Sequence, residues 1–183
     1  MVSALLTRGI ENICKDMDMK TNTMIVEYGY CSQELVNLLL IGRATSNVFD
    51  GVKMIGSRSE KTYLKGIQSQ SEIGFLTLME SFQYLEVGQN YKEAQNSVWV
   101  IFSESHYSVL FAKVNHVQEN RHFQLFYWDG LANQDEEIVL SITRSGSDQT
   151  KDLNADSFVP PLNRCIWTLW EDAKVDWSCD PLY

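Results

Sequence analysis

Apolar residues recur at helical spacing in three places in the first half of the chain. Leu6, Ile10, Ile13 and Met17 follow one another at steps of four, three and four, which places them on one face of a helix. A second helix is predicted from Cys31–Ser32 to about Ile41, with Gly42 as its left-handed stop. A third is predicted to begin near Ser69 and end before Gly88, with one apolar face formed by Phe75, Leu78, Met79 and Phe82.

The second half has a different pattern, with short apolar runs separated by polar turns. Such runs are typical of strands buried on at least one side, and their spacing predicts an antiparallel meander. The tail over 162–170 is also predicted to be a strand that packs back on the sheet, whereas 56–61 is predicted to be a polar loop. The fold class is therefore α+β, with helices over 1–88 and a sheet over 97–177. The four predicted strands are Ser97–Phe102, His106–Val114, Phe123–Trp128 and Glu137–Thr143.

Charge and length exclude several classes of protein. The 183 residues include 15 Lys and Arg against 24 Asp and Glu, a net charge of −9, which disfavours binding to nucleic acid or to an anionic membrane. No apolar stretch approaches the roughly 18 residues that a membrane span requires. The first helix begins almost at residue 1, which predicts that the chain starts inside a domain, and the short apolar patch Val2–Leu6 does not have the pattern of a signal peptide. We expect an intracellular protein of the cytoplasm or nucleus.

The cysteines give no indication of a metal site or a disulfide scaffold. No Cys-x-x-Cys or His-x₃-His spacing occurs, and no glycine-rich phosphate loop is present. The acidic stretch over 129–137 lacks the glycine that a calcium loop requires at its sharp turn. We therefore expect neither a metal nor a cofactor. The cysteines are Cys14, Cys31, Cys165 and Cys179.

A cysteine–histidine pair is the strongest candidate for chemistry. Cys31 stands at a predicted helix N-terminus, where free N–H groups stabilise a thiolate. His106 stands at the start of a predicted strand, where it could act as the base, with Asp129 or Asn133 orienting its ring. The alternatives are a small buried Cys31 and a His106 bound to a backbone carbonyl. The other two histidines, His116 and His122, are expected in an exposed loop.

Long stretches of the sequence resemble one protein family. They are Tyr28–Leu40, Ser46–Gly51, Ser103–Phe111 and Tyr127–Gln134, followed by Trp170–Asp176 with Trp177 and Pro181. These motifs are similar to the catalytic domain of the MINDY family of ubiquitin carboxyl-terminal hydrolases, and within it to the branch of the fourth member and its inactive B-type paralogue. The resemblance extends over nearly the whole chain.

The resemblance implies the C-terminal part of a papain-like cysteine protease fold, ubiquitin or polyubiquitin as the partner, and cleavage of lysine-48-linked chains. His106 matches the family's catalytic histidine. The family's Gly-Pro-Cys-Gly type motif, which carries the nucleophile, has no counterpart here and is expected upstream of residue 1. Cys31 matches a non-catalytic cysteine of the family.

We therefore expect a catalytically inactive relative of a deubiquitinase. Two alternatives stay open. One is an active thiol-dependent hydrolase that uses Cys31 or is completed in a longer isoform, and the other is a non-catalytic ubiquitin-binding or interaction module.

Overall fold

The computed structural model describes residues 1–57, 60–132, 134, 136–146 and 159–181. The chain divides into two compact units, the first formed by Met1–Glu72 with Val87–Glu93 and the second by Ile73–Glu86 with Ala94–Tyr183. Short 3-10 turns lie at Glu27–Gly29 and Val117–Glu119. The other elements are α1 (Val2–Arg8), α2 (Ile10–Asp16), α3 (Gln33–Ile41), β1 (Val52–Ser57), β2 (Glu60–Lys65), β3 (Gly74–Thr77), α4 (Leu78–Ser81), α5 (Gln89–Lys92), β4 (Val98–Ser103), β5 (His106–Phe111), β6 (His122–Trp128), β7 (Ile138–Arg144), α6 (Pro161–Leu169) and β8 (Ala173–Trp177).

The helix predicted through the N-terminal apolar stripe is divided in two. Gly9 takes φ 80° and ψ 136°, a conformation that ends α1 and precedes α2. Of the predicted stripe, Ile13 and Met17 are buried, whereas Leu6 and Ile10 are exposed. The prediction of one continuous helix was wrong because a glycine between two short helices interrupts the period.

Helix α3 confirms the second prediction. The Ser32 hydroxyl caps it by accepting a hydrogen bond from the Leu35 amide, and Gly42 ends it at φ 68° and ψ 15°, in the left-handed region. Its fully buried Asn37 donates to the carbonyls of Thr45 at 2.8 Å and Asn47 at 3.0 Å. The helix is thereby tied to the loop that follows it.

A β-hairpin occupies the region of the predicted polar loop. Strands β1 and β2 pair antiparallel from Val52↔Lys65 to Ser57↔Glu60, so the described residues of the predicted loop are strand residues, and residues 58 and 59 lie outside the described chain. Both strands contain residue types that favour strands, valine and isoleucine in β1 and threonine and tyrosine in β2. The region over 1–88, predicted as helical, therefore also contains strands.

The third predicted helix is wrong. Its central part is β3, which pairs parallel to β4, and only the one-turn helix α4 follows it. Phe75 and Leu76 are adjacent in sequence and both buried, which a strand covered on two faces permits and a one-sided helical stripe does not. Short apolar runs of this kind do not distinguish a buried strand from a helix.

The second unit is built on a six-stranded sheet in the order β3-β4-β5-β6-β7-β8. Strands β4 to β7 form the predicted antiparallel meander, and β3 adds a parallel strand at one edge. At the other edge β8, which lies beyond the predicted tail strand over 162–170, pairs antiparallel with β7. The combination of helices with a largely antiparallel sheet confirms the α+β class, whereas the papain-like assignment stays a prediction.

The strand predicted over 162–170 is helix α6. Pro161 starts it at a position where the missing N–H costs nothing. Leu162, Cys165 and Ile166 are buried at helical spacing and belong to the core of the second unit. Trp170 follows the helix and packs edge-on against Trp99 and Phe123, with ring centroids 5.7 and 5.0 Å apart. The tail prediction was wrong because tryptophan-rich apolar runs fit both strand and helix patterns.

None of the helices in the described part of the chain is both long and apolar enough to span a bilayer.

The turn between β4 and β5 determines where His106 lies. Ser103 pairs with His106, so only Glu104 and Ser105 connect the strands, and their φ angles are 50° and 65°. Two successive positive φ angles define a type I′ turn, which normally contains asparagine and glycine. Serine and glutamate hold this conformation at a cost of roughly 1–2 kcal/mol per residue.

We expect Ser105→Gly to raise the free energy of unfolding by about 1 kcal/mol, because glycine adopts positive φ without strain. Urea unfolding followed by tryptophan fluorescence measures it, and all five tryptophans lie in the second unit. The matched control is Ser141→Gly on the exposed side of β7, which should lower stability. A loss of stability in Ser105→Gly would contradict the turn geometry.

Candidate functional site

One face of the sheet changes from apolar to polar at its end. Alternate residues of a strand share a face, and Trp99 and Ile101 of β4 lie opposite Leu110 and Ser108 of β5. The next pair on this face is Ser103↔His106. The face that forms the core under α6 therefore ends in polar side chains, and His106 is placed there by strand register.

His106 and Asp129 form the centre of this polar end. The Nε2 atom of His106 lies 2.6 Å from Oδ1 of Asp129, and the two side chains are 30% and 14% exposed. Asp129 directly follows the last residue of β6, next to β5 in the sheet. The structure thus brings together two of the residues that the sequence nominated.

The surroundings of Asp129 favour its ionised form. Burial alone raises the pKa of this carboxyl, but hydrogen bonds from the amides of Leu131 and Ala132 and the His106 ring outweigh burial and place the pKa below its ordinary value. The Leu131 amide donates to Oδ1 at 2.9 Å, the same oxygen that contacts His106. Asp129 is therefore a carboxylate at neutral pH.

The ionised carboxylate determines the tautomer of the histidine. A carboxylate only accepts hydrogen bonds, so the His106 Nε2 atom must carry the proton that it shares with Asp129. The lone pair of a neutral ring is then on Nδ1, which has no hydrogen-bond partner among the described residues. An oriented imidazole with a free Nδ1 is the arrangement that a general base requires.

A pocket of about 220 Å³ opens beside His106. Tyr127, whose hydroxyl is hydrogen-bonded to Ser108, lines it, and burial raises the pKa of this tyrosine. Trp177 also lines the pocket, and its indole is held by Nε1–H donating to the Asn163 side-chain oxygen at 2.9 Å. The lining residues are Ile101, Ser103, Glu104, His106, Ser108, Tyr127, Asp129, Pro161, Leu162 and Trp177.

No cysteine is among the residues that line this pocket in the described part of the chain. In the second unit, Cys165 lies on the buried face of α6 and is fully buried, and burial raises the pKa of its thiol to about 12, which suppresses the thiolate. Cys179 is exposed beyond β8. Neither residue lines the pocket beside His106.

Cys31 lies in the first unit and is exposed. It precedes the capping residue Ser32 and forms an isolated bridge with Ile25, so it stands just outside α3 and is not the small buried residue of the alternative interpretation. All three histidines of the chain belong to the second unit. The pairing of Cys31 with His106 stays a prediction.

The remaining nominated residues are in less informative positions. Asn133 lies outside the described residues. His116 is exposed before the second 3-10 turn, as predicted, whereas the exposed His122 begins β6 and is not in a loop. Within the described chain, no group of three or more His, Cys, Asp or Glu side chains could hold a metal ion.

Sequence analysis missed the polar residues that surround the pair. Ser108 and Tyr127 could have been found by continuing the strand alternation from His106. Gln134 contacts the backbone on both sides of Trp128, which no sequence period indicates. Its contacts depend on a turn that only the structure specifies.

Comparison with known proteins assigns the family. Residues 1–179 match the conserved domain described as "Deubiquitinating enzyme MINDY-3/4, conserved domain". The chain belongs to the MINDY-3/4 family. It is 45% identical over 190 residues to "Probable ubiquitin carboxyl-terminal hydrolase MINDY-4" of Mus musculus, covering 99% of this chain and 25% of that protein. The Homo sapiens MINDY-4 is 43% identical over 99% of this chain and 24% of its own length.

MINDY-3 proteins are related over a shorter region. "Ubiquitin carboxyl-terminal hydrolase MINDY-3" of Bos taurus is 43% identical over 114 residues, which is 62% of this chain and 25% of that protein. The chain spans about a quarter of the length of these curated MINDY relatives. No solved structure matches it.

We expect Asp129→Asn to lower the free energy of unfolding by about 1 kcal/mol at pH 7, because the variant loses hydrogen bonds to a charged group. The pKa of Asp129 is lowered in the folded state, so its ionisation stabilises the fold at neutral pH, and this contribution declines as the pH falls below about 4. Urea unfolding at pH 7 and pH 3 should therefore give a smaller difference at pH 3.

Asp176→Asn is the matched control. It removes an exposed carboxylate paired with Lys174, a contact expected to contribute less than about 0.5 kcal/mol. A difference for Asp129→Asn that is equal at both pH values would contradict the stabilising charge.

We expect a soluble aromatic disulfide reagent to label Cys31 and Cys179 in the folded chain, because both thiols are exposed. Cys165 should react only on unfolding, since it is fully buried with a raised pKa. Peptide mass spectrometry after timed labelling measures the order in which the cysteines react. The variants Cys31→Ala and Cys179→Ala confirm which thiol each labelled peptide contains. Rapid labelling of Cys165 would show that its site opens to solvent.

Proposed function

We propose that this chain carries the proton-transferring half of a cysteine-dependent ubiquitin hydrolase centre and is inactive by itself. The observation that carries the proposal is the His106–Asp129 pair at 2.6 Å, with Nδ1 left without a partner among the described residues and beside a pocket. Membership of a deubiquitinase family supports ubiquitin as the substrate class.

The chemistry follows from the free nitrogen. A thiol supplied next to His106 would lose its proton to Nδ1, and the thiolate would attack the carbonyl carbon of the isopeptide bond. The protonated ring then donates that proton to the departing lysine amine, leaving a thioester on the cysteine. Water attacks the thioester with the same nitrogen as the base, which releases the ubiquitin carboxylate and restores the thiol.

Asp129 contributes orientation and charge to these steps. Its carboxylate holds Nε2–H, so the ring presents Nδ1 and not Nε2 to the thiol, and the negative charge stabilises the imidazolium that forms in each half-reaction. Removing the carboxylate leaves the ring free to rotate and to change tautomer.

A cysteine thiol is missing from the lining of this pocket in the described part of the chain. A buried Cys165 and an exposed Cys179 do not replace it, and a base without a nucleophile does not cleave an isopeptide bond at a useful rate. We therefore propose that the isolated chain recognises ubiquitin without turnover. We propose lysine-48-linked ubiquitin chains as the ligand, because the sequence motifs resemble those of a family that cleaves such chains.

A location in the cytoplasm or nucleus accords with this function. All four cysteines are free thiols, two of them exposed, and exposed thiols persist in a reducing compartment. The proposed partner, ubiquitin, acts there as well.

The test uses ubiquitin with an electrophile at its C-terminus, which traps a reactive cysteine. We expect no covalent adduct with the 183-residue chain and no cleavage of lysine-48-linked diubiquitin. An adduct that disappears in Cys31→Ala and His106→Ala, but persists in the matched control His122→Ala, would overturn the inactivity and identify Cys31 as the nucleophile.

Recognition is measured separately, by titrating ¹⁵N-labelled ubiquitin and diubiquitins with the chain. We expect shifts in the ubiquitin C-terminal residues and tighter binding of lysine-48- than lysine-63-linked diubiquitin. Equal affinity for both would contradict the linkage preference. Absence of binding by a chain with folded-state tryptophan fluorescence would contradict ubiquitin as the partner.

A further inference from the structure

The backbone that carries Asp129 lies beyond the end of its strand. The ladder between β5 and β6 has its last pair at Val109↔Trp128, so Asp129 has no partner residue on β5 to hold its position. A catalytic carboxylate placed on an unsupported strand end would move relative to its histidine. Something else must fix the Asp129 main chain.

The side-chain amide of Gln134 provides this support. Its Oε1 atom accepts a hydrogen bond from the Asp129 amide at 2.5 Å, and its Nε2 atom donates to the Tyr127 carbonyl at 3.2 Å. The amide therefore bonds to the main chain on both sides of Trp128, as a peptide group of a neighbouring strand would. Both functional groups of the glutamine amide are used.

The same turn also orients the Asp129 carboxylate. Asp129 Oδ1 accepts a hydrogen bond from the Leu131 main-chain N–H at 2.9 Å, which closes a local turn. The main-chain N–H of Gln134 donates to the Ala132 carbonyl at 3.0 Å. Movement of the Asp129 main chain would therefore shift the oxygen that meets His106. Gln134 therefore acts on His106 through two hydrogen bonds, its own with the Asp129 main chain and that between the Asp129 carboxylate and the His106 ring.

We propose that Gln134 is a positioning residue that holds Asp129 against His106, and thereby determines which ring nitrogen faces the pocket. The inference rests on the proposed function for its catalytic meaning, but the geometry can be measured without ubiquitin. The side-chain hydrogen bonds of Gln134 go to main-chain atoms and not to the His106 ring, and among the described residues Gln134 does not line the pocket. Its effect on His106 must therefore pass through the Asp129 carboxylate.

The test is NMR of the ¹³C,¹⁵N-labelled full chain and its variants. Gln134→Met keeps the length of the side chain without the amide, Gln134→Glu keeps an acceptor for the Asp129 amide, and Gln124→Ala removes an exposed glutamine from β6 as the matched control. The two readouts are the carboxyl ¹³C titration of Asp129 and the solvent exchange rate of the His106 Nε2 proton.

In Gln134→Met we expect the pKa of Asp129 to move up toward its ordinary value and the Nε2 proton to exchange about tenfold faster. Gln134→Glu should partly restore the slow exchange, and Gln124→Ala should match the parent chain. Lower stability of Gln134→Met with both readouts unchanged would show a merely structural role and overturn the proposal. A chain that fails to bind ubiquitin yet shows these changes would refute the proposed function alone.

Discussion

The alternation of side chains across β4, β5 and β6 is the constraint on which the site depends. One face of these strands supplies Trp99, Ile101 and Leu110 to the core and then, with the same period, His106 and Asp129 to the pocket. A shift of one residue in register would bury the polar side chains and expose the apolar ones. The packing of α6 on this face therefore stabilises the fold and fixes the direction of the histidine together.

The ionisable groups in and near the pocket are held in different charge states by their surroundings. Asp129 is kept charged by backbone amides and the histidine, whereas burial keeps Tyr127 and Cys165 neutral. The neutral tyrosine is hydrogen-bonded to Ser108, and the neutral thiol packs in the core. The hydrogen-bonded pair of Asp129 and His106 is thus available for proton transfer, and the described part of this pocket supplies no cysteine thiol to use it.

The sequence predicted those parts of the fold in which local pattern and tertiary packing agree. Strands β4 to β7, helix α3 with its Ser32 cap, and His106 at a strand start follow from alternation, capping chemistry and turn spacing. Packing decided the other elements: the apolar runs around Phe75 and Ile166 suit both helix and strand, and partners distant in sequence select one. Asp129 was nominated with Asn133 as an equal, and strand register with a local turn is what places Asp129 at the ring. The role of Gln134 could not be predicted from the sequence, because it depends on two side-chain hydrogen bonds to the main chain that no sequence pattern indicates.

The tautomer of His106 is the most direct test of this account, which requires Asp129 to hold a proton on Nε2 and leave Nδ1 free. Long-range ¹H–¹⁵N correlation spectra of the neutral ring distinguish the two nitrogens by their chemical shifts. The account predicts a single Nε2–H tautomer in the folded chain and its loss in Asp129→Ala. A ring protonated on Nδ1, or one that averages between tautomers as in a free imidazole, would contradict it.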